Sequence, residues 1–148
     1  MKILMVCLGN ICRSPIAHGV MQHLVNQEGL NWEIDSAGTG SWHIGKMPDY
    51  RSIEVAKKHG INISDQKARQ FNPSDFQNFD LIYVMDKNNY ADIVSLTNDA
   101  NESAKVQLFI KNEPVPDPYM DDALFGPVYQ LISAQCEKLL QTLKKVNS

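Results

Sequence analysis

Short apolar runs alternate with segments of helical periodicity along the chain, and this alternation restricts the fold more than any other feature. The apolar runs predict strands at 2–7, 32–36, 80–85 and 106–110. The periodic segments predict helices at 15–28, 49–59, 86–96 and 126–146, with a short helix after Asn72 and a loop at 98–104. Because strand–helix–strand units form parallel sheets, the pattern predicts an α/β fold with a doubly wound parallel sheet.

The length, charge and cysteine content narrow the class of protein further. A chain of 148 residues is expected to form a single domain over 1–148. A net charge of −3 argues against a nucleic-acid partner, which needs a basic face. The apolar runs are too short to span a bilayer, so no membrane partner is expected. Three cysteines do not form a secreted disulfide framework, which favours a cytoplasmic protein, with a monomer as the default.

Doubly wound sheets bind their ligands beyond the carboxyl ends of the strands. The chemistry is therefore expected in the loops that follow Cys7, Ser36, Met85 and Ile110. The histidines lack the spacing of metal ligands and are expected at the surface, at positions 18, 23, 43 and 59. No metal site and no cofactor are predicted.

The loop after the first strand has the composition of an oxyanion cradle and reads Cys7-Leu8-Gly9-Asn10-Ile11-Cys12-Arg13-Ser14-Pro15. Gly9 lets the backbone approach a ligand closely, and Asn10 tolerates left-handed dihedrals. Ser14 is predicted as the N-cap of the next helix, with Pro15 at its first position. The unpaired N–H groups of this helix N-terminus and the planar fork of Arg13 match the oxygens of a tetrahedral phosphate.

Cys7 stands at the base of this cradle, where a thiolate would face the phosphorus of a bound phosphate ester. A helix N-terminus and a nearby arginine favour the thiolate, and the Ser14 hydroxyl can bind the sulfur. A nucleophile in this place implies covalent catalysis through a thiophosphate. A buried cysteine on an apolar strand is common, but its coincidence with Arg13, Ser14 and Pro15 at a strand–helix junction favours the catalytic interpretation.

Expulsion of an alkoxide or a phenoxide also needs a proton donor. The candidate lies in the segment after the fourth strand, which reads Pro114-Val115-Pro116-Asp117-Pro118-Tyr119. Its prolines restrict the backbone and favour an extended Asp117, and a stiff loop positions a carboxyl well. Tyr119 is expected to form one wall of an aryl-sized pocket. An acidic surface turn is the alternative, since Asp121 and Asp122 show that such turns occur here.

Both motifs together resemble those of the low-molecular-weight protein tyrosine phosphatases, and the resemblance covers essentially the whole chain. Besides 6–17 and 117–119, similar strings occur at 35–39, 48–51, 68–70 and 85–86. The resemblance implies a four-stranded parallel sheet flanked by helices on both faces. It also implies hydrolysis of phosphotyrosine in a protein substrate without a metal ion.

The resemblance further implies a role for each residue of the motifs. Cys7 is the nucleophile that forms a phosphocysteine, and Arg13 and the N–H groups of the loop bind the phosphate oxygens. Asp117 protonates the leaving phenol and then activates water. Asn10 and Ser14 support the loop and the thiolate.

Four other positions take supporting roles by the same resemblance. Ser36 would brace the loop asparagine, and Asp86 would be a supporting acid at the far end of the crevice. Trp42 and Tyr119 would be the aromatic walls of the substrate crevice. Cys12 would close a reversible disulfide with the nucleophile under peroxide.

Three departures from the family pattern are visible. Gln66 stands where members often have a histidine that is hydrogen-bonded towards the loop asparagine. Met120 replaces the second tyrosine of the acid loop, so regulation through paired tyrosines is not expected. His43 follows Trp42 in the variable crevice loop, so the substrate preference of a relative does not transfer directly.

Three alternative functions compete with hydrolysis. An arsenate reductase coupled to thioredoxin needs two further cysteines after the third strand, and 86–104 contains none. A catalytically silent module that binds phosphate or a phosphopeptide has no need to keep Cys7 and Asp117. A phosphocarrier has no need of an acid in a rigid loop.

Overall fold

Four parallel strands form the centre of the protein in the computed structural model, which describes residues 1–146. The strands are β1 (Lys2–Cys7), β2 (Glu33–Gly38), β3 (Leu81–Val84) and β4 (Val106–Leu108). They lie in the order β2-β1-β3-β4, and every neighbouring pair is parallel. The predicted α/β class and the doubly wound sheet are therefore confirmed. β2 runs on to Gly38, beyond the predicted end, because it pairs with β1 as far as Cys7.

The helices lie between successive strands and after the last strand. They are α1 (Arg13–Gln27), α2 (Tyr50–Lys58), α3 (Asp75–Asn78), α4 (Lys87–Val94), α5 (Ala100–Ser103) and α6 (Phe125–Val146), with a 3-10 turn at Asp122–Leu124. The prediction of a loop at 98–104 is wrong, because the Asp99 carboxylate accepts the N–H groups of Asn101 and Glu102 and caps α5. Among residues 1–146, the helices include none that is long and apolar enough to cross a membrane.

Three predicted helix caps can be compared with the structure. Asp49 and Asp86 cap α2 and α4 as predicted, with carboxylates that accept backbone N–H groups. The prediction that Ser14 caps α1 is wrong, because the helix begins at Arg13 with Cys12 as its N-cap. The Ser14 hydroxyl is instead drawn into the preceding loop, where it lies 3.1 Å from the Cys7 sulfur.

The sheet has a core on each face because successive strand residues point to opposite sides. Ile3, Met5 and Cys7 of β1 belong to the larger core, which α1, α2 and α6 cover. Leu4 and Val6 belong to the smaller core, which includes residues of α3 and α4. Cys7 therefore emerges from the well-packed face beneath α1, at the edge where the chain turns into its first loop.

The strand order places a ligand-binding edge beside β1. The chain passes from β1 to β2 on one side and then returns to β3 on the other side. Connections that depart in opposite directions leave a crevice at the carboxyl ends of the strands. The loops after β1, β3 and β4 all lie at this edge, as the sequence predicts.

His18 joins α1 to β2 and is not a surface histidine, contrary to the expectation. Its Nδ1 atom lies 3.1 Å from the Ser36 hydroxyl. Burial lowers the pKa of His18, and the nearby Asp35 carboxylate only partly opposes this effect. The neutral imidazole is therefore the form that the folded protein favours.

This lowered pKa predicts a pH-dependent stability. When pH falls through about 6.5, the unfolded chain takes up a proton on His18 that the folded protein resists, so the free energy of unfolding falls. We expect His18→Gln to reduce this acid sensitivity, measured by urea unfolding between about pH 7.5 and about pH 5. His23→Gln, at an exposed position of the same helix, is the control and should leave it unchanged. Equal acid sensitivity in wild type and His18→Gln would contradict the prediction.

Candidate active site

The loop between β1 and α1 is held in an unusual backbone conformation by its asparagine. Asn10 has a φ of +56° and is 2% exposed. Its amide nitrogen donates to the Ser14 hydroxyl at 2.8 Å, and its amide oxygen accepts the backbone N–H of Arg69 at 3.0 Å. One side chain thus joins the loop to its own helix and to a distant segment, which holds the loop N–H groups in a fixed arrangement.

Arg69 is itself firmly anchored. Its guanidinium forms ion pairs with Asp35 at 3.2 Å and with Asp75 at 3.0 Å, and its carbonyl accepts the N–H of Gly38 at 2.8 Å. Gly38 is required here because a Cβ atom would lie 2.8 Å from the carbonyl oxygen of Leu8. The end of β2 therefore lies directly against the loop between β1 and α1.

The bracing of Asn10 differs from the arrangement that the resemblance implies. The expected partner, Ser36, points to His18, and the partner outside the loop is the backbone N–H of Arg69. Gln66 donates to the carbonyl oxygen of Pro15 at 3.0 Å. Ser36 and Gln66 thus contact α1, beneath the loop. The Asn10 side chain instead accepts its hydrogen bond from the backbone of Arg69.

Cys7 lies at the bottom of the crevice and is 2% exposed. Its sulfur is 3.1 Å from the Ser14 hydroxyl, a distance at which the hydroxyl can donate to a thiolate. Cys12 also lines the crevice, but burial and the charge of Asp49 raise the pKa of its thiol to about 12. Cys12 therefore stays protonated near neutral pH, and Cys7 is the better placed nucleophile of the two.

Arg13 brings a buried positive charge to the same place and is 3% exposed. Its Nη1 atom donates to the Asp86 carboxylate at 2.8 Å and to the carbonyl oxygen of Val115 at 3.0 Å. Burial alone would lower the pKa of the guanidinium, but the charges of Cys7 and Asp86 outweigh it, and the pKa is raised. Arg13 is thus a fixed cation that carboxylate and carbonyl oxygens hold in position.

The acid loop brings Asp117 to the mouth of the crevice. The Asp117 carboxylate accepts the N–H of Tyr119 at 3.1 Å and lies 3.8 Å from the Nη2 atom of Arg13. Its side chain is 46% exposed, so solvent can exchange protons with it. The crevice therefore has a carboxyl at its mouth and a thiol at its base.

The crevice has a volume of about 200 Å³ and brings together residues from three loops. Its lining consists of Cys7, Leu8, Gly9, Ile11, Cys12, Arg13, Trp42, His43, Asp117 and Tyr119. The two predicted aromatic walls, Trp42 and Tyr119, are therefore on its rim. Ser36 and Asp86 lie outside this lining, and Asp86 reaches it only through Arg13.

Sequence reasoning missed several groups that shape this site. The carbonyl oxygen of Val115 binds Arg13, and the backbone N–H of Arg69 binds Asn10. Every residue type has such backbone groups, so the sequence does not indicate which of them takes part. His43 lines the crevice, and its ring lies 3.1 Å from the place of a Cβ atom on Gly9. Its position beside Trp42 was visible in the sequence, but its packing against the loop was not.

The chain is similar to known proteins in both sequence and structure. The model of the low molecular weight phosphotyrosine protein phosphatase family matches residues 2–148. A putative low molecular weight protein-tyrosine-phosphatase of Synechocystis sp. is 43% identical, over 98% of this chain and 98% of that protein. The low molecular weight phosphotyrosine protein phosphatase of Rattus norvegicus is 42% identical, over 95% of this chain and 94% of the rat protein. A crystal structure of a protein tyrosine phosphatase from Entamoeba histolytica, with Hepes in the active site, aligns with a TM-score of 0.92 and 36% identity, covering 100% of this chain and 99% of that chain.

The left-handed asparagine can be tested by two substitutions. Asn10→Ala removes both hydrogen bonds and disfavours the positive φ, whereas Asn10→Gly removes the same bonds but accepts that φ. We expect the alanine variant to unfold about 1–2 kcal/mol more easily than the glycine variant, measured in urea. Both variants should bind inorganic phosphate more weakly than wild type, measured by calorimetry. Equal stability of the two variants would show that the dihedral angle of Asn10 carries no energetic cost.

Proposed function

The chain belongs to the low molecular weight phosphotyrosine protein phosphatase family and is a protein tyrosine phosphatase, and from this premise we propose that Cys7, Arg13 and Asp117 carry out its reaction. The observation that carries the proposal is the meeting of these residues in one crevice, although Arg13 and Asp117 are 104 positions apart in the sequence. Their chemistry matches the three needs of the reaction, which are a nucleophile, a cation for the phosphate and a proton donor.

In the first step the Cys7 thiolate attacks the phosphorus and the bond to the phenolic oxygen breaks. Asp117 donates its proton to that oxygen, so the leaving group departs as neutral tyrosine and a phosphocysteine remains. The fork of Arg13 and the N–H groups of residues 8–14 stabilise the charge on the equatorial oxygens. Asp86 supports this step indirectly, because its carboxylate accepts a hydrogen bond from the Nη1 atom of Arg13 and holds the guanidinium in place.

In the second step water hydrolyses the phosphocysteine. The Asp117 carboxylate, now deprotonated, accepts a proton from the water that attacks the phosphorus. The bond between sulfur and phosphorus breaks, inorganic phosphate leaves, and the Cys7 thiolate is restored. The Ser14 hydroxyl, 3.1 Å from the sulfur, stabilises the thiolate as a leaving group.

The walls of the crevice support a preference for tyrosine. Ile11, Trp42 and Tyr119 present apolar and aromatic surface to the substrate, which suits a phenyl ring better than a short aliphatic chain. A phenol is also a better leaving group than the alcohol of serine or threonine. The substrate we propose is therefore a tyrosine-phosphorylated protein.

We further propose that the enzyme needs no cofactor or metal ion and works as a monomer in the cytoplasm. The proposed steps use only side chains and backbone groups of this chain, and its three cysteines are free thiols. The net charge of −3 gives no reason to expect a nucleic-acid partner. Cys12 is the proposed redox partner: after peroxide oxidises Cys7 to a sulfenic acid, the Cys12 thiol would displace water and form a disulfide.

The nucleophile is tested by hydrolysis of an aryl phosphate with excess chelator, which removes any metal ion that could assist the reaction. We expect wild type to hydrolyse p-nitrophenyl phosphate and Cys7→Ser to hydrolyse it at least about a thousandfold more slowly. Cys136→Ala is the matched control because that buried thiol lies in α6, outside the crevice lining, and it should remain active. Comparable activity of Cys7→Ser and wild type would exclude the phosphocysteine.

The acid is tested by varying the leaving group. Asp117→Asn should lower kcat/KM for phenyl phosphate about a hundredfold but for p-nitrophenyl phosphate only about tenfold, since nitrophenolate needs less protonation. Glu113→Gln, an exposed acid of the same segment, is the control and should behave as wild type. Equal losses on both substrates would remove Asp117 from the role of proton donor.

A further inference from the structure

The N-terminus of α2 lies against the phosphate-binding loop. The backbone N–H of Asp49 donates to the carbonyl oxygen of Ile11 at 2.7 Å, and the Ser52 hydroxyl donates to the carbonyl oxygen of Cys12 at 3.4 Å. Both acceptors belong to the loop that follows Cys7. These two hydrogen bonds therefore fix the first turn of α2 against the loop at the base of the crevice.

Arg51 lies in this first turn and is held by the capping residue. Its Nε atom donates to one carboxylate oxygen of Asp49 at 3.0 Å, and its Nη2 atom donates to the other at 2.9 Å. Two parallel bonds of this kind fix the plane of a guanidinium. Arg51 is thereby attached, through Asp49, to the phosphate-binding loop.

Arg51 also contacts the segment that carries the acid, in addition to the ring of Phe125 at the start of α6. Its Nη1 atom donates to the Asp122 carboxylate at 2.5 Å, and its guanidinium carbon lies 5.5 Å from the ring centre of Tyr119. Tyr119 in turn donates its backbone N–H to the Asp117 carboxylate. Arg51 thus contacts one residue inside the turn in which the N–H of Asp121 donates to the carbonyl oxygen of Pro118, and the residue that directly follows this turn.

The acid loop has a second anchor upstream of Asp117. The N–H of Val115 donates to the carbonyl oxygen of Met85, and the carbonyl oxygen of Val115 accepts from Arg13. Val115 and Arg51 therefore hold the loop before and after the acid. The carboxyl of Asp117 lies between these anchors and is 46% exposed, so its position depends on both of them.

We propose that Arg51 is a positioning residue that joins the acid loop to the phosphate-binding loop and thereby sets the distance between the Asp117 carboxyl and the Cys7 sulfur. The proposal rests on the function proposed above, because it assigns Arg51 an effect on proton donation alone. Proton transfer needs the donor within hydrogen-bond reach of the leaving oxygen, and a displacement of about 1 Å is costly. A lysine would keep the cation over Tyr119 but would lose the two-pronged contact with Asp49.

The experiment measures kcat/KM for phenyl phosphate and p-nitrophenyl phosphate in four forms of the full chain. These are wild type, Arg51→Gln, Arg51→Lys and the control Lys144→Gln, which breaks an exposed ion pair with Glu28 far from the crevice. We expect Arg51→Gln to lose about tenfold on phenyl phosphate and no more than about twofold on p-nitrophenyl phosphate. Arg51→Lys should lie between wild type and Arg51→Gln, and Lys144→Gln should match wild type.

A double-mutant cycle with Asp117→Asn separates positioning from general damage. If Arg51 acts through Asp117, adding Arg51→Gln to Asp117→Asn should cost less than about twofold on phenyl phosphate. A loss by Arg51→Gln that is equal on both substrates, or that keeps its full size without Asp117, would overturn the proposal. If Arg51→Gln does not fold, Arg51→Lys and Asp122→Asn are each measured on the same two substrates. A loss that is equal on phenyl phosphate and p-nitrophenyl phosphate would again overturn the proposal. Failure of wild type to hydrolyse either substrate would instead refute the proposed function.

Discussion

The buried guanidinium of Arg13 is the charge around which the site is built. An arginine that is 3% exposed cannot remain unpaired, because an isolated charge in a protein interior is very costly. The Asp86 carboxylate after β3 and the carbonyl oxygen of Val115 after β4 supply its partners. The parallel sheet brings the loops of three strands to one edge, and the pairing of this one charge joins them there. The same pairing orients the fork of Arg13 towards the crevice, where a phosphate can bind it.

The proposed phosphate-binding loop, residues 8–14, is held by contacts within the protein itself. Asn10 occupies a left-handed conformation, and the backbone of Arg69 and the hydroxyl of Ser14 hold it there. A site whose N–H groups are already oriented pays little reorganisation energy when charge develops in the transition state. The stability of the ion pairs that anchor Arg69 thus serves the chemistry at Cys7, although Arg69 does not line the crevice.

Local patterns predicted most of the secondary structure and both catalytic motifs. The strands, the caps at Asp49 and Asp86 and the crevice residues follow from periodicity, turn chemistry and the resemblance of the motifs. Two errors have one physical cause, which is competition for a hydroxyl. Ser14 does not cap α1 because its hydroxyl lies beside the Cys7 sulfur, and Ser36 does not brace the loop because His18 takes its hydroxyl. A propensity describes a residue alone and cannot rank such competing partners.

The sequence by itself determined the alternation of strands and helices, the composition of the cradle and the presence of an acid between prolines. These features are local, because dihedral preferences and apolar periodicity act over a few neighbouring residues. Only the tertiary structure decided which distant groups meet, such as Arg13 with Asp86 across 73 positions and Arg51 with Asp122 across 71 positions. Every arginine can pair with every aspartate in principle, and the packing of the helices on the sheet selects the pairs. The backbone groups that complete the site, at Val115 and Arg69, are common to all residues, so their partners depend on position in the fold.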